Sequence, residues 1–274
     1  MTGALTLKWL KLSLTILVVI HSCRILAVTE DQFKVYGLSA FNEEQSKMLQ
    51  SWLTLGVNAT RATLGIYPTP LSLYLYPKIS NQPVPWAYTR RDGKGSVHFH
   101  VDTRFDLTKF SDDWTLYHEL AHMALPYLGS EYRWFSEGFA SFMQYQIMAQ
   151  AGVLKGNLFD RYSRKINPHL PWFNSDLSAA SIATRLMDNN QYPAAYWGSA
   201  YFFILAETKL QQQHKISLTQ LISLYQDCCR AQDNNLQEVL ASLDAMIEDK
   251  LFTHLMDEFK NVPAKKLYPE VLSQ

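Results

Sequence analysis

HELAH occupies residues 118–122 and WFSEGFA residues 134–140. Positions i and i+4 of a helix lie on one face, one turn apart, so His118 and His122 can aim both imidazoles at one metal ion. Glu119 follows His118 and projects to the side, where it reaches a metal-bound water without being a ligand. A catalytic zinc takes three protein ligands and keeps a fourth position for water. The third ligand must come from another element, and Glu137 is the best candidate. Pro126 and Gly129 end the first helix, and a second begins near Arg133. The stretch 123–136 leaves room for a tight connection and the first turns of a returning helix, whose carboxylate then faces the two histidines. With this chain's own residue frequencies, HExxH arises by chance in roughly one such sequence in a hundred. That weighs against the plainer reading of a surface helix with two unrelated histidines.

The rest of the chain supplies a scaffold of ordinary composition. Its 274 residues suffice for one large domain or two small ones. Hydrophobic residues make up 47% and charged residues 18%, which allows a real core and excludes a disordered chain. Basic and acidic residues balance at 25 each, and no basic patch stands out, so nucleic acid is not an expected partner.

Asn42 to about residue 58 reads as an amphipathic helix, with a capping box from Asn42 and Gln45 and with Met48, Leu49, Trp52 and Leu53 on one side. LSLYLYP at 71–77 and SVHFHV at 96–101 alternate and read as strands. Residues 77–95 carry Pro77, Pro83, Pro85, Gly93 and Gly95 and read mostly as loop. From Asp112 the pattern is helical, with helices expected at about 112–125, 133–151, 176–189, 194–213, 217–230, 235–247 and 248–260. The expected class is α+β: a small N-terminal mixed sheet, then a mostly helical half, with HELAH at the junction.

The N-terminus has its own pattern. Lys8 and Lys11 precede an apolar run at 12–20, followed by small and mixed residues up to Ala27. This is the layout of a secretory signal, and the run is short for a membrane span. The expected organisation is a signal peptide over 1–27 and a single domain over 28–274, with a sheet-containing part at 28–111 and a helical part at 112–274. Export to the periplasm or the exterior follows, with membrane attachment only if the segment is retained or Cys23 is lipidated. Beyond residue 27 only Cys228 and Cys229 remain. Adjacent cysteines bridge each other only with strain, so packed thiols are expected there.

HELAH followed by WFSEGFA resembles the gluzincins, zinc peptidases whose third ligand is a glutamate on the following helix. AYWGSAYFFILAETKL at 195–210 is similar to the helix of the glycyl aminopeptidase family that carries a catalytic tyrosine. The likeness runs over about residues 112–260. It implies a thermolysin-like zincin domain holding one Zn2+ per chain, with His118, His122 and Glu137 as ligands. It also implies Glu119 as general base and Tyr196 as the group that stabilises the oxyanion. The chain departs from the family in three ways. Ser199 stands near where a second glycine is common, the N-terminal β domain and PDZ domain of full-length members are not seen, and no Gly-x-Met-Glu-Asn motif is present. The last departure leaves aminopeptidase and endopeptidase both open.

The residues by themselves give a consistent chemistry. Zinc lowers the pKa of its water toward about 7, Glu119 takes the proton as water attacks a peptide carbonyl, and the leaving amine receives it. The oxyanion needs a donor, for which Tyr192 and Tyr201 rival Tyr196. Peptides or proteins are the expected substrates. The alternative is a non-catalytic module that keeps a structural zinc and binds a peptide or partner. His98 and His100 share one strand face and read as polar surface, with substrate contact or a second metal as the sharper options. Ser141, one turn after Glu137, is a candidate support for that ligand. Asp112 and Asp113 read as N-terminal partners of the HELAH helix.

Overall fold

The computed structural model describes residues 33–91 and 95–272. The expectations for the segment 1–27 and for Cys23 fall outside these residues. Four strands and eleven α-helices are described: β1 (Phe33–Tyr36), α1 (Glu43–Leu64), β2 (Leu71–Pro77), β3 (Trp86–Arg90), β4 (Ser96–Val101), α2 (Leu107–Asp112), α3 (Thr115–His122), α4 (Arg133–Gln150), α5 (Leu158–Ile166), α6 (Ala179–Asp188), α7 (Tyr192–Gln213), α8 (Leu218–Cys228), α9 (Leu236–Met246), α10 (Leu251–Asn261) and α11 (Ala264–Leu267). The class is α+β, with a small mixed sheet early and a mostly helical remainder.

The sheet order is β1-β2-β4-β3. β1, β2 and β4 run parallel, and β3 pairs antiparallel with β4 at the edge. Alternation puts Leu71, Leu73, Leu75, Val97, Phe99 and Val101 on one face, all buried. α1 lies against that face through Leu49, Trp52, Leu53 and Val57. Its start is fixed by Asn42, whose side chain accepts from the Gln45 amide while the Gln45 side chain accepts from the Asn42 amide. Trp52 is fully buried between Phe99 and Phe110.

The other sheet face carries a ladder of rings. Tyr36, Tyr74, His98 and Tyr88 sit at facing register positions on four strands, and each neighbouring pair stacks with centroids 4.6 Å apart. Both ring nitrogens of His98 are engaged, Nδ1 with the Tyr76 hydroxyl and Nε2 with Ser96 Oγ, each at 3.0 Å. His98, buried, and His100 are therefore part of a stacked ring face of the sheet.

A second, larger core fills the helical half, built around Phe135, Phe139, Phe142, Phe202, Phe203 and Phe259. α3 stands between the two cores. Leu116 and Leu120 join the sheet-side cluster, and Tyr117 and Ala121 the helical one. At 100° per residue, those two commitments leave His118, Glu119 and His122 on the one remaining side.

Several boundaries differ from the sequence expectation. The helix expected over 112–125 is the shorter α3, Thr115–His122: Asp113 has extended backbone and its carboxylate accepts from the Thr115 amide, which separates α3 from the preceding α2. Asp113 thus serves the start of α3 as expected, whereas Asp112 is the last residue of α2. The region read as loop contains β3, and β1, α2, α5 and α11 were not expected either. Cys228 and Cys229 are bonded to each other, correcting the expectation of two free thiols; the pair sits where α8 ends and its backbone leaves helical geometry. Among the described residues no helix is long and apolar enough to cross a membrane.

Candidate metal centre and active-site cleft

α3 and α4 pack against each other and bring HELAH opposite WFSEGFA. The Nε2 atoms of His118 and His122 lie 3.2 and 3.5 Å from Glu137 Oε2. Ligand atoms of these three residues fall within 4.8 Å of one another, a group that can hold a metal ion. His118 and His122 are buried, and Glu137 is partly buried. The other nitrogen of His118, Nδ1, lies 3.0 Å from Gln144 Oε1, so Nδ1 carries the hydrogen and Nε2 is left free to ligate. Nδ1 of His122 is buried with no hydrogen-bond partner.

Electrostatics bind the three side chains together. Burial works against a charged His118, but the hydrogen bond and charge of Glu137 outweigh it and its pKa is raised. Burial likewise opposes ionisation of Glu137, yet the two histidines hold its carboxyl far below the usual carboxylate range. The pocket is thus built around an anion that wants a cation between the imidazoles.

Glu119 lies beside this group with its carboxylate oriented from the sheet. Thr89 Oγ1 of β3 donates to Glu119 Oε2 at 2.7 Å and lies 3.1 Å from the Glu119 backbone oxygen. The last carbonyls of the HELAH segment are satisfied by side chains remote in sequence. Tyr67 donates to Leu120 O at 2.6 Å, Arg91 to His122 O and Pro126 O at 3.2 Å each, Gln226 to Ala124 O at 3.0 Å, and Arg230 to Leu125 O at 3.1 Å. Arg91 also reaches Ser136 Oγ at 3.3 Å, next to Glu137, and so ties α3 and α4 together. Positive side chains at a helix C-terminus also complement its dipole.

Tyr196 comes to the site on α7. Its ring stacks at 6.1 Å on that of His118. The approach depends on Gly138, directly after Glu137: a Cβ there would lie 2.7 Å from both the carbonyl carbon and the Cβ of Ser199. A second close contact follows at Gly198, where a Cβ would meet the Phe173 ring at 2.1 Å. Ser199 is therefore a small residue facing Gly138. Burial, then Glu137, raises the Tyr196 pKa, so its hydroxyl stays protonated at neutral pH. Of the two rival tyrosines, Tyr201 is buried against Tyr268 in the helical core. Tyr192 reaches the cleft, but its hydroxyl donates to Asn190 Oδ1 at 2.7 Å.

These groups line one cleft of about 500 Å³. β3 forms one wall with Trp86, Tyr88 and Thr89, and the exposed Trp114 stands edge-on to His118 at 5.2 Å. The sequence reading passed over Thr89, Arg91 and Gln144. Among the described residues no hydrogen bond links Ser141 to Glu137; the polar support on α4 comes from Gln144 and goes to His118. No second cluster of metal-ligating side chains occurs among the described residues, and His98 and His100 do not line the cleft. No protein-family model matches the chain, and no curated protein matches it.

Proposed function

We propose that this chain is a zinc-dependent metallopeptidase of the gluzincin type, a thermolysin-like zincin domain resembling the glycyl aminopeptidase family. The observation that carries the reading is the convergence of His118, His122 and Glu137 beside Glu119 in an open cleft. The donor set fits zinc: two imidazole nitrogens and one carboxylate oxygen, with Gln144 holding His118 in the tautomer a ligand needs. One Zn2+ per chain, held by these three side chains, would polarise a carbonyl and lower the pKa of its water toward about 7.

The chain's own residues supply the rest. Glu119 Oε2, oriented by Thr89, takes the proton of the attacking water and passes it to the leaving amide nitrogen. The protonated Tyr196 hydroxyl donates to the oxyanion that forms on the substrate carbonyl. The β3 residues Trp86, Tyr88 and Thr89 and Trp114 form the walls against which the substrate lies in this reading. Peptides or proteins are the substrates in this reading, and the basic-then-apolar N-terminal pattern supports export to the periplasm or the exterior, with membrane attachment if the segment is retained or Cys23 is lipidated.

The test is hydrolysis of a diverse peptide mixture by the zinc-loaded protein, with new termini read by mass spectrometry and Glu119→Gln run beside it. New termini from the wild type alone support the reading, and their positions separate aminopeptidase from endopeptidase. Zinc-loaded wild type that cuts nothing would leave a metal-holding binding module.

A further inference from the structure

Arg133 opens α4, one turn before Glu137, and so shares its side of the helix. Its guanidinium lies 5.4 Å from the centre of the Tyr192 ring and next to the Tyr196 hydroxyl, inside the cleft. Both of those partners are neutral. Among the described residues no carboxylate lies within ion-pair distance of Arg133. The two carboxylates of the cleft are engaged elsewhere, Glu137 with the histidines and Glu119 with Thr89. The other cleft arginine, Arg91, is used up on backbone carbonyls and Ser136. Nor does Arg133 serve its own helix, since a cation in the first turn opposes the helix dipole.

We propose that Arg133 is the substrate anion seat: its guanidinium fork receives a carboxylate of the peptide, either the C-terminal carboxylate or an acidic side chain beside the cut bond. A planar guanidinium whose hydrogen-bonding neighbours Tyr192 and Tyr196 are neutral, and which feels Glu137 only from beyond ion-pair distance, can match a carboxylate bidentately, and such charge-assisted bonds are about twice as strong as neutral ones. Arg133 is exposed at the cleft, so a substrate carboxylate can reach it. Arg133 thereby sets the preference for anionic peptides, while Glu119 and the metal ligands set the chemistry. The inference rests on the peptidase reading and refines its substrate class.

The test compares matched peptides with the zinc-loaded full chain. One pair has a single sequence ending as free acid or as amide, and a second carries Glu or Gln beside the cut bond. Wild type is expected to cleave the anionic member of one pair with a kcat/KM about tenfold or more above its neutral twin. Arg133→Gln is expected to bring that ratio to within about twofold, and Arg133→Lys to keep part of it, because lysine retains the charge without the fork. The pair that responds identifies the source of the carboxylate. No preference in either pair, or an equal fall for both twins in Arg133→Gln with the ratio kept, would overturn the seat. Anisotropy of dansyl-Gly-Phe-Leu, as acid and as amide, on zinc-loaded Glu119→Gln with and without Arg133→Gln separates the two readings. Arg133-dependent binding of the acid without any cleavage by wild type keeps the seat and removes the peptidase. Cleavage without charge dependence does the reverse.

Discussion

Gly138→Ala is a small change with a large expected effect on the cleft. The added Cβ would lie 2.7, 2.7 and 2.8 Å from the carbonyl carbon, Cβ and carbonyl oxygen of Ser199. Real carbon contacts need about 3.4 Å or more, so α4 and α7 must part by roughly 0.7 Å. Two of those three atoms are backbone, and no rotamer change removes them. Overpacking of this kind costs about 1–3 kcal/mol. Replacing a mid-helix glycine gives back about 1 kcal/mol of propensity. The net is a loss of about 0–2 kcal/mol, a fall in Tm of a few degrees for a domain of this size. Activity should suffer more, because α4 carries Glu137 and α7 carries Tyr196. A misplacement near 1 Å costs up to about 100-fold in rate. Thermal unfolding and kcat/KM, measured on the same preparations, give the two quantities. A Gly138→Ala protein more stable than wild type and fully active would refute the close-approach reasoning.

Thr89→Val keeps shape and removes the hydroxyl that orients Glu119; kcat should drop about tenfold or more with zinc content unchanged, as read by steady-state kinetics beside metal analysis. Gln144→Leu removes the acceptor behind His118 and should weaken zinc binding about 10–100-fold in competition titrations with a chelator. Raised His118 and depressed Glu137 give the metal-free protein opposite pH limits: the His118 contribution is complete below about 6.5 and lost as pH rises through its raised value, and that of Glu137 is complete above about 4.5 and lost as pH falls. The pair therefore stabilises metal-free protein most between those values, whereas zinc needs neutral imidazole, so the gap in Tm between zinc-loaded and metal-free protein should widen as pH rises through and above 6.5; a gap independent of pH would count against His118 as a ligand.

How far the sequence could be read depended on the range of the interactions. The spacing of His118, His122 and Glu137, the Asn42–Gln45 box and the alternation at 71–77 and 96–101 are local patterns, and each matches the structure. β3 was lost among Pro83, Pro85 and two glycines, although Trp86, Tyr88 and Thr89 are strand-favouring residues that could have signalled it. Thr89, Arg91, Gln226 and Arg230 support the HELAH segment from 30 to more than 100 positions away, where no local pattern reaches. Gln144 is nearer, one helix over, but a lone buried glutamine looks like any other until the fold puts His118 against it. The start of α3 turns on one carboxylate and one amide, those of Asp113 and Thr115, and the 6-residue α2 before it is too short to show a helical period. The Cys228–Cys229 bond went against a correct general rule about adjacent cysteines, and the sequence held nothing to override it.

Metal content is the most direct measurement. The purified chain, loaded with zinc, freed of excess and subjected to elemental analysis, should hold one zinc per chain, and Glu137→Ala should lose it, since only two ligands remain. Zinc held equally by both proteins, or by neither, would contradict the centre formed by His118, His122 and Glu137.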